Sequence, residues 1–249
     1  MLARIARTDR KLFHPVKLRN ADNQRLMRLV KARDVLVRNR TAIVNQIRGF
    51  CKSEGAPLPR CSAEAFVKLK EHLPPEVMNV SCYLFKLLQG LNDLIKRYDK
   101  VIAKAVERIH GDDAVLLEAI AGVGPVTTAA FLAAVGDVGT FESAREAGPY
   151  FGLVPRRDQS GMTDKQLPIT KEGNHTVRRL LVTAANFIMG PFGPDCDLRR
   201  YGLRIAERGG KNARKRAKVA VARKLAVVML AILKNKTAYR PLMDAESAA

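Results

Sequence analysis

Two apolar columns spaced seven residues apart constrain this chain more than any other feature. Leu29, Leu36, Ile43 and Phe50 form the first, flanked by Leu26, Val30, Val37, Val44 and Ile47. Arg25, Arg28, Lys31, Arg38 and Arg48 fall on the opposite face. Leu84, Leu91, Tyr98 and Ala105 form the second, beside Leu87, Leu88, Leu94, Ile95, Val101 and Ile102. A stripe of that period lies on one side of an α-helix and on no side of a strand. The first helix is expected to begin after Asn20, a good capping residue, and to end near Gly55 and Pro57. The second is expected from about Ser81 to His110. Between them residues 53–80 are a connector punctuated by Pro57, Pro59, Pro74 and Pro75. Helices with such stripes bury them on each other or on the same helices of a second chain. The two helices are therefore expected to form a long antiparallel helical hairpin. It is either a coiled-coil arm serving oligomerisation or an ordinary hairpin packed on the rest of the protein.

Charge is the second constraint. Of 249 residues, 44 are Lys or Arg and 24 are Asp or Glu, a net charge of +20. The excess is concentrated. Residues 1–52 carry +11 and residues 199–224 carry +10, while residues 53–198 carry −2. A uniformly solvated surface does not segregate charge in this way. A polyanionic partner does, and nucleic acid fits better than an anionic membrane surface. With no Trp and 6% aromatic residues, an extended stacking platform for single strands is not expected. The apolar run from Leu225 to Leu233 is far shorter than the roughly 20 residues that span a bilayer. The opening MLARIARTDRK lacks the apolar segment of a secretory signal.

Cys51, Cys61, Cys82 and Cys196 form no CxxC pair, and His14, His72, His110 and His175 show no metal-ligand spacing. No metal site is expected in this chain. Scattered thiols fit a reduced, cytoplasmic protein. Asp112 and Asp113, after Gly111, read as helix caps rather than ligands, as do Asp195 and Asp197.

The second half is also helical. Helix, Gly122-Val123-Gly124-Pro125, helix over residues 114–135 is a helix-hairpin-helix pattern. Glycine suits a turn that needs positive φ and close approach by a phosphate. The amides of the following helix N-terminus favour that phosphate, with Thr127 and Thr128 as further hydroxyl donors. Such a grip holds backbone without reading sequence; the alternative is a tight turn with no ligand. A helix is expected over 141–150. A polar segment follows, Phe151 to Gly161, the one place where strand is expected. A helix at about 175–189 carries Arg178 and Arg179 in its first turns, after Lys171. Residues 190–197 are loop. Gly209-Gly210 divide the basic segment 199–224 into two helices, the second bearing Lys211, Arg214, Lys215 and Arg216 and running into Leu225–Leu233. A half-buried basic helix is an ordinary phosphate-tracking element. The end of the chain, from about Asp244, is read as a disordered tail. The fold class is mainly α.

The run IAGVGPVTTAAFLAAVGD, then GPYFGLVPRRDQSG, ITKEGN and VRRLLVTAA, resembles the C-terminal domain of the IS one-ten family of insertion-sequence transposases, which includes the Piv-type DNA invertases. LARIARTDRKLFHPV, KARDVLVRNRTAIVNQIRGF, CSAEAF and the basic segment before LAV extend the resemblance over nearly the whole chain. It implies a coiled-coil arm at 19–112 and a C-terminal transposase domain at 113–249. In such proteins an RNase H-like domain with four metal-binding acidic residues precedes these parts, and a bridge RNA guides the complex to DNA. The resemblance implies that Ser160, in the QSG segment, attacks a DNA phosphate while Mg²⁺ assists. Arg156 and Arg157 would neutralise the phosphoryl oxygens. A serine hydroxyl needs such help, because it is a weak nucleophile.

Two departures follow. Residues 1–18 sit where the family's sequence continues past its last metal-binding aspartates. They read as the basic tail of an N-terminal domain that this chain lacks, and Mg²⁺ then has no site here. Pro168 stands where the family often has Gly. The expected partners are DNA, a guide RNA and a second copy through the arm. The expected function is a truncated DNA transposase or recombinase; the alternative is a catalytically inactive nucleic-acid-binding remnant.

Overall fold

The computed structural model describes residues 19–160 and 163–242, together with Arg7. The basic tail expected over 1–18, Arg7 apart, and the tail from Asp244 lie outside the described residues. Helix α1 spans Ala21–Ser53, and the Asn20 side chain caps it by accepting from the amide of Asn23 at 2.7 Å. A 3-10 segment, Ala65–His72, lies in the connector. Helix α2 spans Pro75–Glu118. It starts at Pro75 rather than near Ser81, because proline at the first helical position loses no hydrogen bond.

The two helices run antiparallel. His110 meets Asn23, Asp99 meets Arg33, and Asn92 meets Arg40, so one helix descends as the other ascends. The face they bury is rotated from the seven-residue columns. On α1 the buried residues are Asn23, Leu26, Met27, Val30, Asp34, Val44, Ile47 and Cys51, whereas Leu29, Leu36, Ile43 and Phe50 are half-buried. A helix packed against more than one neighbour buries a wider stripe than a coiled-coil seam. On α2, Leu88, Leu91, Ile95 and Ile102 are buried as expected. Val80, Leu87, Leu94 and Val101, spaced seven apart, remain 66, 52, 43 and 49% exposed.

The hairpin holds two cores. Near its tip Val44, Ile47, Cys51, Phe66, Val77, Phe85 and Leu88 pack together, with the Phe66 and Phe85 rings stacked at 5.8 Å. At its base Leu26, Met27, Val30, Ile102 and Val106 join the main core of the second half. The expected boundary near residue 112 is therefore not a packing boundary. The break expected at Gly111-Asp112-Asp113 falls one residue earlier: His110 leaves helical geometry (φ −140°, ψ 35°), and a second helical stretch runs from there to Glu118. Asp113 caps nothing and pairs with Lys236 instead.

Helix α3, Pro125–Val135, is the centre of the main core and is buried from Thr127 to Val135. The helix expected over 141–150 is instead a 3-10 turn at Ala144–Glu146, capped by Ser143 and Glu146 reciprocally, then a single turn α4 at Ala147–Tyr150. Pro149 permits only the first turn of a helix to contain it. Strands β1, Pro155–Ser160, and β2, Thr163–Ile169, form one antiparallel ribbon. Helix α5, His175–Ile188, follows with Asn174 as its cap. Helices α6, Asp197–Glu207, and α7, Ala213–Asn235, complete the described fold. Helix α7 buries Ala217, Val221, Leu225, Met229 and Leu233 against the core and leaves Arg214, Lys215 and Arg216 exposed. Among the described residues no helix is long and apolar enough to cross a membrane.

Candidate nucleic-acid interface

The ribbon projects from the core on a fixed root. Gly152 sits at φ +62°, and a Cβ there would lie 2.3 Å from the Glu172 carbonyl oxygen. Two backbone bonds lock the same corner: Thr170 N donates to Val154 O at 2.9 Å and Lys171 N to Gly152 O at 3.2 Å. Arg178 Nη1 donates to Phe151 O at 3.0 Å and to Glu172 O at 2.6 Å, and its burial pulls the guanidinium pKa below its ordinary value. Arg178 was expected to hold DNA; it braces the ribbon root. Arg179, expected in the same role, is ion-paired with Asp34 of α1. Lys171 remains exposed, in the left-handed conformation at φ 59°.

Beyond the root the ribbon is bare. Arg156, Arg157, Asp158, Gln159 and Ser160 are all exposed. Alternation along β1 sets Arg156, Asp158 and Ser160 on one face and Arg157 on the other. Of the two arginines, Arg156 is the one that shares a face with the serine. Ser160 closes the ribbon opposite Thr163, and among the described residues no base is hydrogen-bonded to it. Lys165, directly across from Asp158, is a further exposed cation that sequence reading passed over. Pro168 falls where β2 has one residue more than β1, between the pairs Pro155–Ile169 and Arg157–Gln166. A bulge tolerates a residue with no amide donor, so proline is accommodated there.

The Gly122 turn lies at the other end of α3. Gly122 is exposed at φ +84°, and Gly124 caps α3 from an extended conformation with no side-chain bond. Thr127 and Thr128 correct the expectation of hydroxyl donors. Thr128 is 0% exposed, its Oγ1 has no partner, and Thr127 is 8% exposed. The Thr128 hydroxyl is shut inside the core, because α3 is buried from Thr127 to Val135. Glu118, at the end of α2 before this turn, has its pKa raised by burial.

The basic helices present Lys211, Arg214, Lys215 and Arg216 to solvent. Arg216 also donates to Gly209 O at 3.0 Å and Lys211 O at 3.3 Å, closing the turn between α6 and α7. Arg223, overlooked in the sequence, crosses Gly148: a Cβ there would stand 3.1 Å from its Nε. It brings the cationic face of α7 to α4, beside the ribbon root. Among the described residues no three His, Cys, Asp or Glu side chains gather as metal ligands.

Residues 114–196 match the family described as transposase IS116/IS110/IS902. The chain is 31% identical over 232 residues to the transposase for insertion sequence element IS1111A of Coxiella burnetii, covering 90% of this chain and 63% of that protein. It is 29% identical over 233 residues to a probable family 20 transposase of Pseudomonas aeruginosa, covering 91% of this chain and 68% of the relative. It is 31% identical over 125 residues to the pilin gene-inverting protein of Moraxella bovis, covering 50% of this chain and 38% of the relative. The chain thus spans just under two thirds of the Coxiella relative's length. Residues 114–196 thus form a domain of the IS116/IS110/IS902 transposase family, and most of the chain is similar to known transposases.

Proposed function

We propose that this chain binds DNA in transposition or site-specific recombination and that Ser160 is the nucleophile of strand exchange. One observation carries the reading: a ribbon braced at its root presents Ser160, Arg156 and Arg157 to solvent, in a chain whose helix α7 also exposes Arg214, Lys215 and Arg216. In the proposed step Ser160 Oγ forms a bond to a backbone phosphorus. The bond from phosphorus to the leaving sugar oxygen breaks, and that oxygen takes up the proton the serine loses. A strand hydroxyl reverses the step and frees the serine. Arg156 offsets charge on the phosphoryl oxygens from the serine's own face. The glycine backbone at Gly122 and Gly124 acts in this reading as a helix-hairpin-helix grip on a DNA phosphate. Lys171, Lys211, Arg214, Lys215 and Arg216 track the backbone. A structured guide RNA is the second polyanion this surface suits. The exposed column Val80, Leu87, Leu94, Val101 is the proposed seam for a second copy. Mg²⁺ is proposed for the reaction, with no ligand set among the described residues.

The second reading is a nucleic-acid-binding protein that cuts nothing, favoured by the exposed cations Lys211, Arg214, Lys215 and Arg216, which can hold phosphate without any chemistry at Ser160. One experiment separates them. The purified chain is incubated with Mg²⁺ and a DNA junction, with and without a structured RNA. A covalent protein–DNA adduct lost in Ser160→Ala supports the nucleophile. Binding without adduct leaves the second reading, and no binding overturns both.

A further inference from the structure

We propose that Phe187 and Phe192 form a station that stacks on an unpaired nucleobase beside the Gly122 turn; this rests on the nucleic-acid reading above. Phe187, in the last turn of α5, is 47% exposed. It lies against the turn itself: a Cβ on Gly122 would stand 3.0 Å from Phe187 Cδ1 and 3.1 Å from Ala184 O. Phe192, in the loop after α5, is 87% exposed, the most exposed of the large apolar side chains described.

That loop is not slack. Gly190 N donates to Phe187 O at 3.0 Å and Gly193 N to Gly190 O at 3.2 Å. Arg199 Nη1 reaches back to Ile188 O at 2.7 Å and Gly190 O at 2.5 Å. A Cβ on Gly193 would stand 2.1 Å from Ile188 O, so the loop is drawn tight onto the helix end. The fold therefore braces a segment whose tip is a solvent-facing phenyl ring.

The setting selects the occupant. Gly190, Pro191, Gly193, Pro194 and Asp195 surround Phe192 in the chain and offer no wide apolar floor for a protein segment. Arg199 stands beside Gly193, and the one nearby carboxylate in the loop, Asp195, is neutralised by Arg200 at 2.6 Å. Exposed rings beside the Arg199 guanidinium, in a chain of net charge +20, suit the flat base of a polyanion. Every base has a π-face, so the station tolerates any sequence. The low aromatic content excludes an extended platform, not a single station.

The full chain is titrated against two labelled duplexes at fixed salt, one fully paired and one with a two-nucleotide bulge. A 5-iodouracil in the bulge allows photo-crosslinking. We expect the bulged duplex to bind about 10-fold more tightly, with crosslinks mapping to Phe187 or Phe192. Phe192→Ala should remove that preference while keeping affinity for paired duplex, and Phe192→Tyr should retain it. Both rings are exposed, and a thermal melt of each variant verifies folding. Duplex binding with no preference for the bulge, or a preference unchanged in Phe192→Ala and Phe187→Ala, overturns the station alone. Absence of any nucleic-acid binding overturns the interface reading as well. Capture of a protein by Phe192, with the bulge preference absent, overturns it in favour of a protein partner.

Discussion

Arg179 of α5 is ion-paired with Asp34 of α1, and this contact ties the helical hairpin to the transposase domain. The Asp34 side chain is 8% exposed, and its other cationic partner, Arg38, is more distant at 3.5 Å. Arg179→Ala leaves a buried carboxylate with one weaker partner. With Arg179 itself 44% exposed, the expected loss is about 1–2 kcal/mol. Chemical denaturation measures it. If Arg179 is a strut rather than a DNA contact, the salt dependence of DNA binding stays unchanged in the same variant.

The ribbon root makes a second prediction. Gly152 combines positive φ with a Cβ position 2.3 Å from Glu172 O and 2.4 Å from Glu172 N. Backbone cannot yield as a side-chain end can. Gly152→Ala should destabilise the corner by more than the roughly 1–2 kcal/mol of the left-handed conformation alone. Hydrogen exchange should show the Thr170 and Lys171 amides losing protection, while amides of α3 keep theirs. Equal loss throughout would mean that the root is not a separate locked corner.

The cationic helix is tested through salt. Arg214 and Lys215 are exposed, and their role is proposed to be phosphate contact. Replacing either with Ala should weaken binding similarly across DNA sequences. It should also lower the slope of log affinity against log salt by about 1. Lys234, whose ammonium is held by the Phe141 and Glu142 carbonyls, is the internal comparison. Its replacement should leave that slope alone.

These tests divide residues that the sequence grouped together. Helix positions were legible because stripes, caps and glycines act locally: Asn20, Asn174 and the Gly209-Gly210 divide all stand where residue chemistry places them. The ribbon was legible as the one polar segment without helical period. What could not be read was which cation turns inward. Arg178 and Arg179 differ from Arg214 and Lys215 only in what the fold puts beside them, carbonyls and a carboxylate distant in sequence. Thr127 and Thr128 failed as donors for the same reason, since the burial of α3 depends on helices that arrive from both ends of the chain. Ser160 is a candidate through family resemblance alone.

The kink at His110 supplies a pH test. The ring Nε2 lies 2.7 Å from Asn23 Oδ1, joining α2 to the start of α1. Burial pushes the His110 pKa below the ordinary 6.5; Asp113 and Asp22 act against this, and Lys236 adds to it. The folded protein thus binds this proton less readily than the unfolded chain. The neutral ring's contribution is fully present above pH 6.5 and is lost as pH falls through 6.5 towards the lower folded value. Thermal melts from about pH 7.5 down to 5.5 should show a falling midpoint. In His110→Gln, which keeps a polar side chain but no titrating ring, the fall should be shallower. Limited proteolysis at the acid end should cut first near the kink, where α2 passes from the arm into the main core. An identical pH profile in the two proteins would show that protonation of His110 does not govern this junction.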